Sequence, residues 1–277
     1  MKFGTMVRVK DINCVQAQFQ TLINEGLEAC QLVYKPEVYT KEDAQIIVEA
    51  IKNTGIDVCS MFAGFRDTFI FWDGYHDYNI SGINNPEFGK SRIEYIRAAV
   101  EFASWIGIKQ VVIHAGYVDN NPFSPDFTRM VSLIKHTANY AKRFGVDLLL
   151  ETGQETNIAL KRLIELSGAD NLFINFDTAN PIIYGYGNPV DAIFTYGEYI
   201  RNMHAKDALP PKNIYGRGVE TPIGEGYVDF KRVLKDLKAV GYDSYMIIER
   251  EIEGDQQRID VLNAIKQLKE IWDNLTD

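Results

Sequence analysis

Five ionisable residues stand directly after short apolar runs. His114 follows Val111-Val112-Ile113, Glu151 follows Leu148-Leu149-Leu150, and Asp177 follows Ile174-Asn175-Phe176. His204 follows Asn202-Met203, and Glu249 follows Met246-Ile247-Ile248. Burying such groups is costly unless they are paired or bind a metal. Glu151, Asp177, His204 and Glu249 together make a hard donor set with a single nitrogen. One divalent ion suits it: Mn²⁺ is favoured, and Zn²⁺, Co²⁺ or Mg²⁺ also fit, with positions left for water or substrate. Taken singly, each residue has a plainer explanation. Glu151 or Glu249 could pair with Arg250 or Arg217, His204 could be a satisfied core histidine, and Asp177 could cap the turn at Thr178-Ala179-Asn180. Four such residues at four strand ends are hard to explain that way.

The elements that must position them follow from the hydrophobic pattern. Apolar runs fall at Phe3–Val7, Leu27–Val33, Ile56–Phe62, Gln110–Ala115, Asp147–Glu151, Leu172–Asp177, Arg201–Ala205 and Tyr245–Glu249. Each predicts a parallel strand buried on both faces. Helical spacing appears over Glu42–Asn53, Ser91–Ile106, Phe127–Phe144, Ile158–Ser167, Phe230–Val240 and Arg258–Trp272. Gly55, Gly107, Gly145, Gly168 and Gly241 follow five of these segments, where a left-handed C-terminal cap is expected. Eight strands alternating with helices predict an α/β fold, a single (β/α)8 TIM barrel spanning residues 1–277. The rival is an open doubly wound sheet, which would carry a glycine-rich turn after its first strand. Here that strand runs into Met6-Val7-Arg8-Val9-Lys10, with no such turn. In a closed barrel the residues at the carboxyl ends of the strands share one mouth. The fourth to eighth strands would then deliver His114 and the four candidate ligands to it.

Two long connections, residues 64–90 and 206–229, belong on the same face. The first carries Phe65, Phe69, Phe71, Trp72, Tyr75, His76 and Tyr78, and predicts a pocket wall or lid, with a subunit contact as the alternative. His114 is expected to face the pocket as a substrate contact or proton relay. His136 falls within a helix pattern. Lys206 and Asp207 are candidates to support the ligands, and Glu225 has a structural place in a Gly-Glu-Gly turn.

A net charge of −9 argues against a nucleic-acid partner, whose binding surface would be basic. No run of 18 apolar residues predicts a membrane span, and the N-terminal segment lacks the apolar stretch of a signal peptide. Three widely spaced cysteines, Cys14, Cys30 and Cys59, suit free thiols and a cytoplasmic location better than a disulfide framework.

Several segments carry a family resemblance. His204-Ala205-Lys206-Asp207, the run Thr221-Pro222-Ile223-Gly224-Glu225-Gly226-Tyr227-Val228-Asp229-Phe230, then Gly241-Tyr242-Asp243 and Ile247-Ile248-Glu249, resemble the xylose-isomerase-like barrels. More narrowly they resemble the sugar phosphate isomerase/epimerase group. Phe176-Asp177-Thr178-Ala179-Asn180 and Val112-Ile113-His114-Ala115-Gly116 are similar to its motifs as well. The resemblance spans nearly the whole chain and implies a metal held by Glu151, Asp177, His204 and Glu249. In the ketose 3-epimerases of the group, the residues matching Glu151 and Glu249 are also the acid/base pair. A dimer or tetramer is implied too. The sequence departs from the related repair nucleases of the endonuclease IV type, which hold three zinc ions through extra histidines. Asn180 stands where those enzymes place one, and the chain has only four histidines. Many of the 3-epimerases also carry a histidine at the Asn180 position. They place an arginine soon after the strand-seven histidine, for which Arg217 is the nearest candidate and a substrate-binding expectation.

The expected activity is a metal-dependent isomerase or epimerase acting on a sugar or sugar phosphate. It would remove a proton next to a carbonyl and pass through an enediolate. A dehydratase of keto-inositols or keto-sugars would begin with the same proton removal. A phosphodiesterase and a non-catalytic binding barrel are the remaining rivals.

Overall fold

The computed structural model describes residues 1–65 and 82–275. Seven strands are laid down first: β1 (Lys2–Val7), β2 (Ala29–Val33), β3 (Asp57–Phe62), β4 (Gln110–Ile113), β5 (Asp147–Glu151), β6 (Leu172–Asp177) and β7 (Ile200–Ala205). A short antiparallel pair, β8 (Asp207–Leu209) with β9 (Val219–Thr221), precedes β10 (Tyr245–Ile248). The sheet closes in the order β1-β10-β7-β6-β5-β4-β3-β2, with every barrel pairing parallel. The expected barrel is therefore the fold.

Nine helices occur among the described residues: α1 (Val15–Asn24), α2 (Ala44–Thr54), α3 (Gly89–Trp105), α4 (Pro125–Lys142), α5 (Asn157–Ser167), α6 (Asn180–Tyr184), α7 (Pro189–Tyr196), α8 (Phe230–Ala239) and α9 (Asp255–Asp273). In α8 the buried residues Phe230, Val233, Leu234 and Leu237 form one stripe at helical spacing. Ser124 and Thr156 cap α4 and α5 by accepting hydrogen bonds from the amides of Phe127 and Ala159. The five glycines expected to end helices all have φ between 61 and 80°.

The pattern missed α1, α6 and α7. In α1 only Val15 and Phe19 are buried, too few to mark a stripe. α6 and α7 begin at Asn180-Pro181 and Pro189 and run five and eight residues, too short for a period to show. The connection 206–229 also holds β8 and β9, three residues each.

Strand residues alternate between two environments, as a pleat requires. Val111, Ile113, Leu148, Leu150, Ile174, Phe176, Met203, Ala205, Met246 and Ile248 belong to the large core that includes the helices' buried faces. The residues between them turn into the barrel, where Ala29, Cys59 and Ile247 make a small apolar cluster. A polar layer follows, made of Gln31, Ser60, Asn175 and Asn202, each fully buried. A Cβ on Gly4 would lie 2.1 Å from the Ala29 carbonyl oxygen, so glycine is required where β1 pairs with β2. No helix among the described residues is long and apolar enough to cross a membrane.

Of the aromatic connection 64–90, Phe65 packs against the core beneath the Arg92 guanidinium, 5.0 Å from its ring centroid. Phe69, Phe71, Trp72, Tyr75, His76 and Tyr78 lie outside the described residues.

Candidate metal centre

The inward period of two carries each candidate ligand one pleat above an interior residue. Asp177 and His204 are register partners on β6 and β7, standing above Asn175 and Asn202, which are themselves partners. Glu151 ends β5 beside Asn175. Glu249 directly follows β10, its amide donating to the Ala205 carbonyl at 3.1 Å. One donor atom from each of Glu151, Asp177, His204 and Glu249 falls within 4.8 Å of the others, and all four residues are buried.

His204 Nδ1 is the hub. It lies 2.8 Å from Glu151 Oε1, 3.4 Å from Glu249 Oε2 and 4.0 Å from Asp177 Oδ2. Burial alone would push this imidazole's pKa down, but the Glu151 and Glu249 carboxylates outweigh it and take it up to about 10. Asp177 divides its two oxygens between tasks. Oδ1 accepts from the amides of Ala179 and Asn180 at 2.8 and 2.6 Å, capping the turn. Oδ2 is buried and has no hydrogen-bond partner. Burial raises the Asp177 carboxyl well above the usual range, against the pull of the Lys206 ammonium. The turn-capping explanation is thus realised on Oδ1, while Oδ2 is left as a candidate donor.

Lys206 is 2% exposed, and its ammonium reaches Glu249 Oε2 at 3.1 Å as well as Glu251. Burial would raise the Glu249 carboxyl, but Lys206 and then His204 hold it well below its ordinary value. With the three carboxylates ionised and His204 neutral, as metal ligation requires, the cluster and the buried Lys206 ammonium would together carry two negative charges. A divalent cation balances them. Together with the orphaned Asp177 Oδ2, this donor set fits such an ion, with neutral His204 giving one nitrogen and the carboxylates the oxygens.

His114 stands beside the cluster as expected. Its Nε2 is 3.1 Å from Glu151 Oε2. The Phe62 ring meets it edge-on at 5.6 Å. Among the described residues, Arg217 makes no hydrogen bond or ion pair with the four candidate ligands, though the Tyr184 hydroxyl feels its charge together with those of Lys206 and Asp177. It is exposed on the turn between β8 and β9. Arg250 pairs with Glu220 and Asp260 at 2.7 and 2.8 Å, which removes it as a partner for Glu151 or Glu249. Glu225 and His136 are exposed. Asp207 organises the connection to β10. Its Oδ1 accepts from the amides of Ala208 and Val228, and its Oδ2 from those of Gly224 and Gly226, all between 2.9 and 3.0 Å.

Sequence reasoning missed two groups. Gln31, Ser60, Asn175 and Asn202 lie directly below the ligands. Their signal was a polar residue inside an otherwise apolar strand. Glu155 is buried near Glu151 and accepts from the Gly153 amide at 2.9 Å; burial raises its carboxyl to about 7.

Residues 19–271 match the family model of the xylose isomerase-like TIM barrel, and the chain belongs to that family. The crystal structure of a xylose isomerase domain protein from Planctomyces limnophilus is similar, at 31% identity and a TM-score of 0.85. That similarity covers 98% of this chain and 96% of the other. An inosose dehydratase of Lacticaseibacillus casei is 24% identical over 180 residues, 54% of this chain and 60% of the relative's length. An L-ribulose-5-phosphate 3-epimerase of Salmonella paratyphi A is 26% identical over 216 residues, 76% of this chain and 70% of the relative.

Proposed function

We propose that this chain, acting as one domain, is a divalent-metal-dependent isomerase or epimerase of a small sugar or sugar phosphate. Glu151, Asp177, His204 and Glu249 would be the ligands. The observation that carries this reading is the convergence of these four buried residues on a space ringed by their donor atoms. A divalent ion held there, with Mn²⁺ as the working choice, would polarise a carbonyl and acidify the neighbouring C–H. Proton transfer falls to Glu151 and Glu249. They come from strands three apart in the closed ring, so each approaches the mouth from its own side. Epimerisation needs that arrangement, because the proton leaves one face of the carbon and returns to the other. Each carboxylate has a neighbour that steadies its charge as the proton moves, His114 for Glu151 and Lys206 for Glu249. Burial excludes water from both, which strengthens these contacts.

A second reading uses the same residues for a dehydratase, and the inosose dehydratase relatives favour it. Loss of water from a keto-inositol begins with the same proton removal. Incubation of the Mn²⁺-loaded protein in D2O with ketoses, ketose phosphates and keto-inositols, followed by NMR, separates the two. Deuterium next to the carbonyl of a recovered or rearranged sugar is the expected result. Loss of a hydroxyl instead would establish the dehydratase. No exchange with any compound, in protein shown to hold metal, would defeat both.

A further inference from the structure

The barrel interior beneath the ligands holds a hydrogen-bonded polar chain that the proposed chemistry does not itself use. Gln31 Oε1 lies 2.9 Å from His204 Nε2, and Gln31 Nε2 donates to Ser60 Oγ at 2.8 Å. Asn202 Nδ2 donates to the same Ser60 oxygen at 3.2 Å and to Asn175 Oδ1 at 2.8 Å. Ser60 Oγ is 3.4 Å from Cys59 Sγ, which in turn approaches Asn202 Oδ1 at 4.0 Å. Gln31, Ser60, Asn175, Asn202 and His204 are all 0% exposed. No bulk water reaches these groups, so each proton must be placed within the chain.

We infer that Gln31 is a positioning residue that fixes the tautomer of His204 in the ion-bound state, keeping the proton on Nε2 and leaving the Nδ1 lone pair for a cation held between it and the three carboxylates. The inference rests on the metal reading of the site. The direction follows from the Gln31 amide, whose nitrogen donates to Ser60 and whose oxygen faces His204. Ser60 Oγ accepts from both Gln31 and Asn202, which uses its two lone pairs. Its own proton then goes to Cys59 Sγ, and the thiol proton goes to Asn202 Oδ1. The Gln31 amide nitrogen is committed to Ser60, so only its carbonyl oxygen is left to face His204, and His204 Nε2 must donate. With the amide reversed, Nε2 would have to accept. The ring proton would then sit on Nδ1, among the carboxylates, with no lone pair for a cation. A buried acceptor on the far nitrogen of a ligand histidine sets ring orientation and raises ligand basicity, and its loss costs roughly 10–100-fold in metal affinity. Gln31 reaches His204 from β2, across the barrel interior, so the support comes from an element that supplies no ligand.

The test has two parts. First, Zn²⁺-loaded protein, labelled with ¹⁵N in its histidines, gives a tautomer for each ring by NMR; His204 is assigned by its disappearance in His204→Ala. The expected state is a protonated Nε2 and an unprotonated Nδ1. Second, Mn²⁺ affinity is measured for the wild type, Gln31→Met and Gln31→Glu. Gln31→Met keeps the volume and removes the acceptor, and roughly 10–100-fold weaker binding is expected. Gln31→Glu keeps an acceptor for Nε2 and should bind at least as tightly as wild type. A wild type that binds neither ion sinks the metal reading and the inference together. A wild type that binds while Gln31→Met binds equally well, or a His204 ring protonated on Nδ1, overturns the inference alone. Because the tautomer is read on wild-type residues, a poorly folding variant does not remove the test.

Discussion

Glu151→Gln should leave the fold intact and lower turnover by roughly 10²–10⁴-fold, the usual span for a lost acid or base. Glutamine keeps the shape and leaves an amide oxygen to face His204 Nδ1. It cannot take up a proton at neutral pH, and it withdraws one of the charges that balance the ion. The effect should appear mainly in kcat, because the carboxylate's part is greatest in the transition state. Thermal unfolding should change little: the charged contact with His204 at 2.8 Å becomes a neutral one, and the like-charge crowding with Asp177 and Glu249 is relieved. The measurement is deuterium exchange into the true substrate, alongside metal content and a melting curve. Full activity in a metal-loaded variant would remove Glu151 from the proton-transfer role.

Asp207→Ala should be the most destabilising single change on the mouth side of the barrel. Asp207 is 1% exposed, and its carboxylate gathers four backbone amides from a connection whose own regular structure is limited to β8 and β9. A Cβ on Gly226 would lie 2.1 Å from Asp207 Oδ1, so the chain is wrapped tightly around this side chain. Removing it orphans four donors. With part of that loss recovered by water, a cost of about 3 kcal/mol is expected. For a chain of this size the corresponding fall in melting temperature is roughly 6–12 °C. Asp207→Asn retains one acceptor oxygen and should lose about half as much. Melting curves of the two variants check the order: wild type above Asp207→Asn above Asp207→Ala. An Asp207→Ala protein that melts with the wild type would show that the connection is held by other contacts. Lys206 stands next in the chain and reaches Glu249, so looseness there should also weaken catalysis.

The candidate ligands were legible because each is an ionisable residue ending an apolar run, a combination a folded chain tolerates only with a partner. The barrel was legible from eight such runs and from the glycines that end the helices. The polar chain below the ligands was harder to see. Gln31 lies within Ala29–Val33, a run apolar enough to predict a strand buried on both faces. A strand of that kind does not reveal which residues turn inward. Only the closed ring, with β2 facing β7 across its interior, brings Gln31 to His204. Arg217 illustrates the opposite limit. It was singled out by its position after His204, and the β8–β9 connection leaves it exposed, with its charge felt at Tyr184 rather than among the four candidate ligands. Spacing along the chain does not determine where a long connection places a side chain.

Glu151, Asp177, His204 and Glu249 are proposed to hold one divalent ion. Diffraction from crystals grown with Mn²⁺, recorded at the Mn absorption edge, tests it directly. One anomalous peak is expected, about 2.0–2.3 Å from His204 Nδ1 and from a carboxylate oxygen of each of the other three. A peak elsewhere on the chain, or none at full occupancy of Mn²⁺ in solution, would contradict it.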